Sequence, residues 1–169
     1  NFRGYKDEVS VDIDNLTVIV GKNDIGKSTI LEALDVFFNE GKGIVKLDKD
    51  DINKSSLVEG NKDIYITAVF TDLPENIIID TTNETTFSSE YLLNSENNLE
   101  IIKKYSNAGA AKIAIKANHP TNIECSELLL KKITDYRKIV QKHNIECENQ
   151  TINATLRKSI WNLLKLIQK

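Results

Sequence analysis

Gly21-Lys22-Asn23-Asp24-Ile25-Gly26-Lys27-Ser28 is the stretch that decides the fold. Glycines at its first and sixth places and a closing Lys-Ser pair give the spacing of a Walker A loop, which wraps phosphate groups. Residues 16–20 before it (LTVIV) are a short, continuous, β-branched apolar run. Such a run predicts a strand buried in a mostly parallel sheet. After the loop, Ile30, Leu31, Leu34, Phe37 and Phe38 recur at helical spacing. The loop is therefore expected to join a buried strand to an amphipathic helix. At average residue usage the four fixed positions would match by chance in on the order of one chain in a hundred of this size. The flanking patterns make coincidence rarer.

The spacing has a chemical reason. A triphosphate needs several donors converging on it, and successive backbone N–H groups of a tight loop, backed by a helix N-terminus, supply them. Gly21 and Gly26 let the backbone come close and take dihedrals that a Cβ would oppose. Lys27 is expected to reach the β- and γ-phosphates as the catalytic cation, and the Ser28 hydroxyl to ligate Mg²⁺. The nucleotide-binding set is read as Gly21, Lys22, Asn23, Asp24, Ile25, Gly26, Lys27, Ser28 and Thr29.

The composition is that of an ordinary globular chain, with 40% hydrophobic and 28% charged residues among 169. No apolar run reaches the length of a membrane span and no signal peptide is visible, so a cytoplasmic protein without a membrane partner is expected. Cys125 and Cys147 are too few for a disulfide framework or a zinc site and read as free thiols. His119 and His143 lack the neighbours of a metal or catalytic constellation. Methionine is absent, even at position 1, and the chain opens abruptly on Asn-Phe-Arg-Gly-Tyr. These features lead us to expect a piece of a longer protein.

Charge is segregated although the net value is only −3. Residues 1–62 carry nine basic and twelve acidic side chains, and residues 63–102 carry eight carboxylates with no Lys or Arg. Residues 103–169 reverse the sign, with thirteen basic and five acidic residues. Such asymmetry bears on where an anionic partner could dock.

Along the chain, Val9, Val11 and Ile13 alternate with polar residues as a half-exposed strand, turning at Asp14-Asn15 into the buried one. The first helix is expected to end near Asn39-Glu40-Gly41, and residues 46–54 read as a charged loop. Ile64, Ile66, Ala68 and Phe70 alternate as a further strand. Residues 91–93 and 99–105 flank Asn94-Ser95-Glu96-Asn97-Asn98 as a hairpin, and Ile113 and Ile115 mark one more strand. Leu129, Ile133, Tyr136 and Val140, then Leu156, Ile160, Leu163 and Ile167, step as two amphipathic helices, with Thr121-Asn122-Ile123-Glu124 as a capping box. The domains are read as 1–118, an ATPase lobe with a β-rich subdomain, and 119–169, a helical segment that begins an inter-lobe insertion.

Asn1-Phe2-Arg3-Gly4, the loop and Leu31-Glu32-Ala33-Leu34 occur in an order that resembles the N-terminal end of ABC-type ATPase heads in the RecF/SMC group. The run is most similar to the OLD-like (overcoming lysogenisation defect) branch. The specific match covers the first forty or so residues; the β-rich stretch to about Lys116 agrees more loosely. The resemblance implies an α/β P-loop fold: the N-terminal lobe of an ABC-type head, with an antiparallel β subdomain and C-terminal helices. It implies ATP and Mg²⁺ as cofactors, Arg3 near the nucleotide phosphates or DNA, and Asp50 or Asp51 near a polar Q-loop-type position facing Mg²⁺. It further implies a head-to-head homodimer or higher oligomer and a second, C-terminal lobe, with a Toprim nuclease domain elsewhere.

The signature motif and a Walker B strand ending in Asp-Glu are not visible in the sequence. Ile77-Ile78-Ile79-Asp80 imitates Walker B but lacks the second acid and a preceding signature. A non-hydrolysing ATP-dependent sensor or scaffold is the rival reading. A GTPase would need Asn-Lys-x-Asp downstream, and none is present. In the basic last third, Lys131, Lys132, Arg137, Lys138 and Lys142, then Arg157, Lys158, Lys165 and Lys169, are read as packing helices whose outer faces offer cations to a DNA backbone.

Overall fold

A computed structural model describes residues 1–22, 26–80 and 83–165. Its elements run α1 (Lys27–Asn39), α2 (Lys54–Val58), β1 (Asp63–Phe70), β2 (Ile77–Asp80), β3 (Asn83–Thr85), β4 (Leu99–Ser106), β5 (Ala111–Lys116), α3 (Ile133–Lys142) and α4 (Asn153–Leu164). Short 3-10 turns lie at Lys49–Asp51, Ile123–Cys125 and Leu128–Leu130. The sheets are β1-β4-β5 and β2-β3. The β4–β5 connection, residues 107–110, is too short for a crossover, so these neighbours run antiparallel. By packing, the chain divides into Asn1–Ala68 with Ile101–Ala114, and Val69–Glu100 with Ile115–Lys169.

In the first unit the core gathers Phe2, Val36, Ile52, Ile64 and Tyr105. Burying one such side chain stabilises by about 1.5–3 kcal/mol. The alternation read in β1 is observed: Ile64 is buried and Ile66 half-buried, while Tyr65 and Thr67 face out. From β4, two polar groups enter this core for a reason the helix dictates. The last carbonyls of a helix have few intrahelical donors and can be completed by side chains; at Val36 the Glu40 and Gly41 N–H groups already contribute. Lys103 Nζ donates to the Phe37 carbonyl at 2.8 Å, and Tyr105 Oη donates to the Val36 carbonyl at 3.0 Å. The Lys103 charge thus sits at the negative end of α1. Burial, with Glu40 nearby, raises the Tyr105 pKa, so the phenol stays a donor. Glu40 (φ 55°) and Gly41 (φ 68°) then turn the chain in the left-handed region. A Cβ on Gly41 would lie 2.8 Å from Leu47 Cβ, so glycine is required there.

The second unit packs Cys125, Leu128, Tyr136, Val140, Leu156, Ile160, Trp161 and Leu164 into one cluster. The buried stripe of α4 is Leu156, Arg157, Ile160, Trp161 and Leu164. Leu163, read as part of the stripe, is 38% exposed, and Ile167 lies outside the described residues. Arg157 is also a correction. It was read as an outer-face cation, but its side chain is fully buried, with Nη2 2.7 Å from both Glu90 Oε1 and Asp80 Oδ2. Its Nε donates to Glu90 Oε2 at 2.8 Å, completing a bidentate pair. β2 and β3 pair antiparallel, with a register irregularity between Ile78 and Asp80. Asp80 of this strand, the acid of the Walker B look-alike, is thereby a partner of Arg157.

Further expectations fail. Residues 9–13 and 16–20 form no strand, and Leu16, Val18 and Val20 are 85%, 70% and 81% exposed. A strand needs a neighbour to satisfy its backbone groups, and no described strand pairs with this segment. Residues 91–93 also form no strand; the Asn94 carboxamide instead organises the turn by accepting from the N–H groups of Glu96 and Asn98. Residues 46–54 are not plain loop, because Asp48 and Asp51 cap each other's turn and Asn53 caps the short α2. The expected capping box at 121–124 reduces to Asn122 accepting from the Glu124 N–H.

Candidate functional site

The first turn of α1 is Lys27-Ser28-Thr29. Its N-cap is Gly26 at φ 92°, which offers no side-chain cap, and the turn holds no acidic residue. A helix start without such groups leaves its leading N–H donors and positive dipole end for an anion. Lys27 Nζ folds over the preceding loop, donating to the Gly21 carbonyl at 2.8 Å and to the Lys22 carbonyl. Ser28 is exposed. Asn23, Asp24 and Ile25 lie outside the described residues.

Residues 1–5 form a tight turn closed by reciprocal Phe2–Tyr5 backbone bonds of 2.8 and 2.9 Å. Arg3, at φ 48°, points its guanidinium toward α1 and the 3-10 turn. Its Nε donates to Asp51 Oδ1 at 2.7 Å and its Nη1 to Glu32. Burial disfavours the charged guanidinium, but the bonds to Asp51 and Glu32 outweigh it and hold the Arg3 pKa above the ordinary value. Backbone bonds reinforce the junction: Arg3 N–H donates to the Asp51 carbonyl at 2.7 Å, and Asn53 Nδ2 to the Arg3 carbonyl at 2.7 Å. Asp51 is buried, and its second oxygen accepts from the Asp48 N–H at 2.9 Å. Asp50, the other acid at this position, is exposed.

Arg3, Asp51 and the start of α1 are therefore brought together, with Glu32 as the link. Sequence reasoning passed over Glu32 as an acid site and missed Tyr5, whose hydroxyl lies 3.3 Å from the Gly26 carbonyl. A carboxylate one turn beyond Ser28 and a basic residue in the opening turn were the available signals. Nothing in the sequence pointed to Tyr5.

The chain matches the family model described as an AAA ATPase domain over residues 1–167, and it belongs to that family. No curated protein and no solved structure matches it. Family membership makes this a nucleotide-binding ATPase domain, and its helices and antiparallel strands are consistent with an α/β P-loop-type fold. Among the described residues, no helix is long and apolar enough to cross a membrane, and no group of His, Cys, Asp and Glu could hold a metal ion.

Proposed function

We propose that the chain is the Mg·ATP-binding lobe of an ABC-type, OLD-like ATPase that acts in DNA processing or phage defence, coupled to a nuclease elsewhere in the full protein. The observation that carries this reading is the α1 start: an uncapped, acid-free helix N-terminus behind Gly26, with the Lys27 ammonium held over the loop. Loop N–H groups and Lys27 would hold the phosphates, and Ser28 would hold Mg²⁺, which when bound neutralises developing phosphate charge. Both Asp51 oxygens already accept, from Arg3 and from the Asp48 N–H, so Ser28 is the ligand we assign. In this reading two heads of a homodimer sandwich the nucleotides, a C-terminal lobe supplies the remaining motifs, and hydrolysis switches their conformation.

A non-hydrolysing sensor or scaffold is the second reading, favoured by one observation. Glu32 and Asp51, the carboxylates gathered at α1, are both engaged by Arg3. Water activation then needs a group from elsewhere. Both readings predict negligible steady-state phosphate release from the 169-residue chain, since positioning and charge neutralisation carry phosphoryl transfer. Robust turnover that disappears in Ser28→Ala would place the catalytic machinery within these residues and remove the ABC-type assignment. A full-length protein that binds ATP yet never hydrolyses it would favour the scaffold.

DNA contact is proposed on a smaller surface than the sequence offered. Arg157 is buried, Arg137 donates to the Gln150 carbonyl, and Lys138 and Lys142 pair with Asp135 and Glu124. The exposed cations assigned to it are Lys132, Lys158 and Lys165; Lys169 lies outside the described residues.

A further inference from the structure

We infer that Tyr5 is a positioning residue of the nucleotide site, its hydroxyl holding the Gly26–Lys27 peptide so that the Lys27 N–H faces the phosphate. The inference rests on the nucleotide-binding reading of α1. In a trans peptide the carbonyl of one residue and the N–H of the next lie in one rigid plane and point opposite ways. A donor on the Gly26 carbonyl therefore sets the direction of the Lys27 N–H. As N-cap of α1, Gly26 at φ 92° offers its carbonyl to the first turn of the helix. Tyr5 adds a side-chain donor to that same oxygen from outside the helix, fixing the plane from a second direction.

The contact is built into the fold. Tyr5 Oη lies 3.3 Å from the Gly26 carbonyl oxygen. A Cβ placed on Gly26 would meet Tyr5 Oη at 2.7 Å and Cζ at 3.0 Å, so the phenol edge rests directly on the glycine. The perch of Tyr5 is fixed as well. Its backbone pairs with Phe2, and Phe2 is 5% exposed in the core that also holds Val36 of α1. Arg3 of the same turn reaches Glu32. Residues 1–5 thus run as a splint beside α1, and the tyrosine end of the splint meets the loop's last glycine. At 3.3 Å the bond is longer than a relaxed hydroxyl–carbonyl bond. An anion accepting from the Lys27 N–H polarises the same peptide and strengthens it.

The test is calorimetric titration of Mg·ATP and Mg·ADP into the parent, Tyr5→Phe and Lys27→Ala, with melting midpoints and amide NMR of the nucleotide-free proteins. Tyr5→Phe keeps the ring and removes only the donor. The expected result is a three- to tenfold weaker affinity, roughly the value of one hydrogen bond. The melting midpoint should stay put, and the NMR change should centre on the Lys27 amide. Unchanged affinity in Tyr5→Phe alongside weakened binding in Lys27→Ala overturns the inference and leaves the nucleotide reading intact. A parent that binds neither nucleotide removes both. Weaker binding with a lowered midpoint and shifts spread through the unit makes Tyr5 a packing residue and also overturns the inference.

Discussion

Replacing Arg157 by methionine is expected to destabilise the protein by about 3–5 kcal/mol, the cost of stranding buried charge without its partner. The guanidinium is fully buried and binds Glu90 through two nitrogens and Asp80 through one. Glu90 is itself only 2% exposed, and Asp80 24%. With folding stabilities of roughly 5–15 kcal/mol, such a loss leaves little folded protein in reserve. Urea unfolding followed by circular dichroism measures it. Adding Glu90→Leu and Asp80→Asn to Arg157→Met should recover most of the loss, because an apolar replacement of a whole buried ion cluster is often neutral or better. A single variant as stable as the parent would mean that the cluster contributes nothing.

Acid should act on the same cluster. Burial alone would raise the Asp80 pKa, but hydrogen bonds from Arg157 and Asn153 outweigh it and hold the carboxyl below its ordinary value. A depressed folded-state pKa gives stability that is fully present above the unfolded-state pKa, about 3.9 for aspartate. It is lost as pH falls through the lower, folded-state pKa. Urea midpoints taken from pH 6 down to pH 2 should therefore fall in the parent, and fall less steeply in Asp80→Asn.

The second large effect is on ligand affinity. Lys27→Ala is expected to weaken Mg·ATP binding on the order of ten- to a hundredfold. Charge-assisted bonds of the kind an ammonium makes to phosphate contribute roughly 1.5–3 kcal/mol. Here the ammonium is held at the start of the loop by the Gly21 and Lys22 carbonyls. Because that side chain packs in no core, stability should be nearly unchanged. Titration calorimetry giving equal affinities would remove Lys27 from the site.

What the sequence made legible follows from the range of the forces involved. α1, β1, β5 and α4 were readable because periodicity and turn chemistry are local: Ile64 to Phe70 alternates, and α1 ends at the left-handed Glu40 and at Gly41. The segment at 16–20 has every local mark of a strand, but a strand also requires a neighbour that local pattern cannot supply. Arg157 was misread for a related reason. Its charge looks like a solvated helix face until Glu90, 67 positions away in sequence, is brought to it. In the candidate site, the loop glycines, Lys27 and Ser28 were spelled out by spacing. The Arg3–Glu32–Asp51 junction and the Tyr5 contact depend on long-range placement of the opening turn, which no spacing encodes.

Trp161 is the single tryptophan of the chain. It is 1% exposed, edge-on to Tyr91 at 5.2 Å, inside the second unit's cluster. Tryptophan emission, excited where the tyrosines do not absorb, is therefore a private reporter of that unit, silent about the glycine loop, which belongs to the other. This asymmetry turns an ordinary spectrum into a gauge of cooperativity. A nucleotide that raises the fluorescence midpoint as far as the ellipticity midpoint welds both units into one unfolding block. One that moves ellipticity alone reveals two blocks that melt on separate terms.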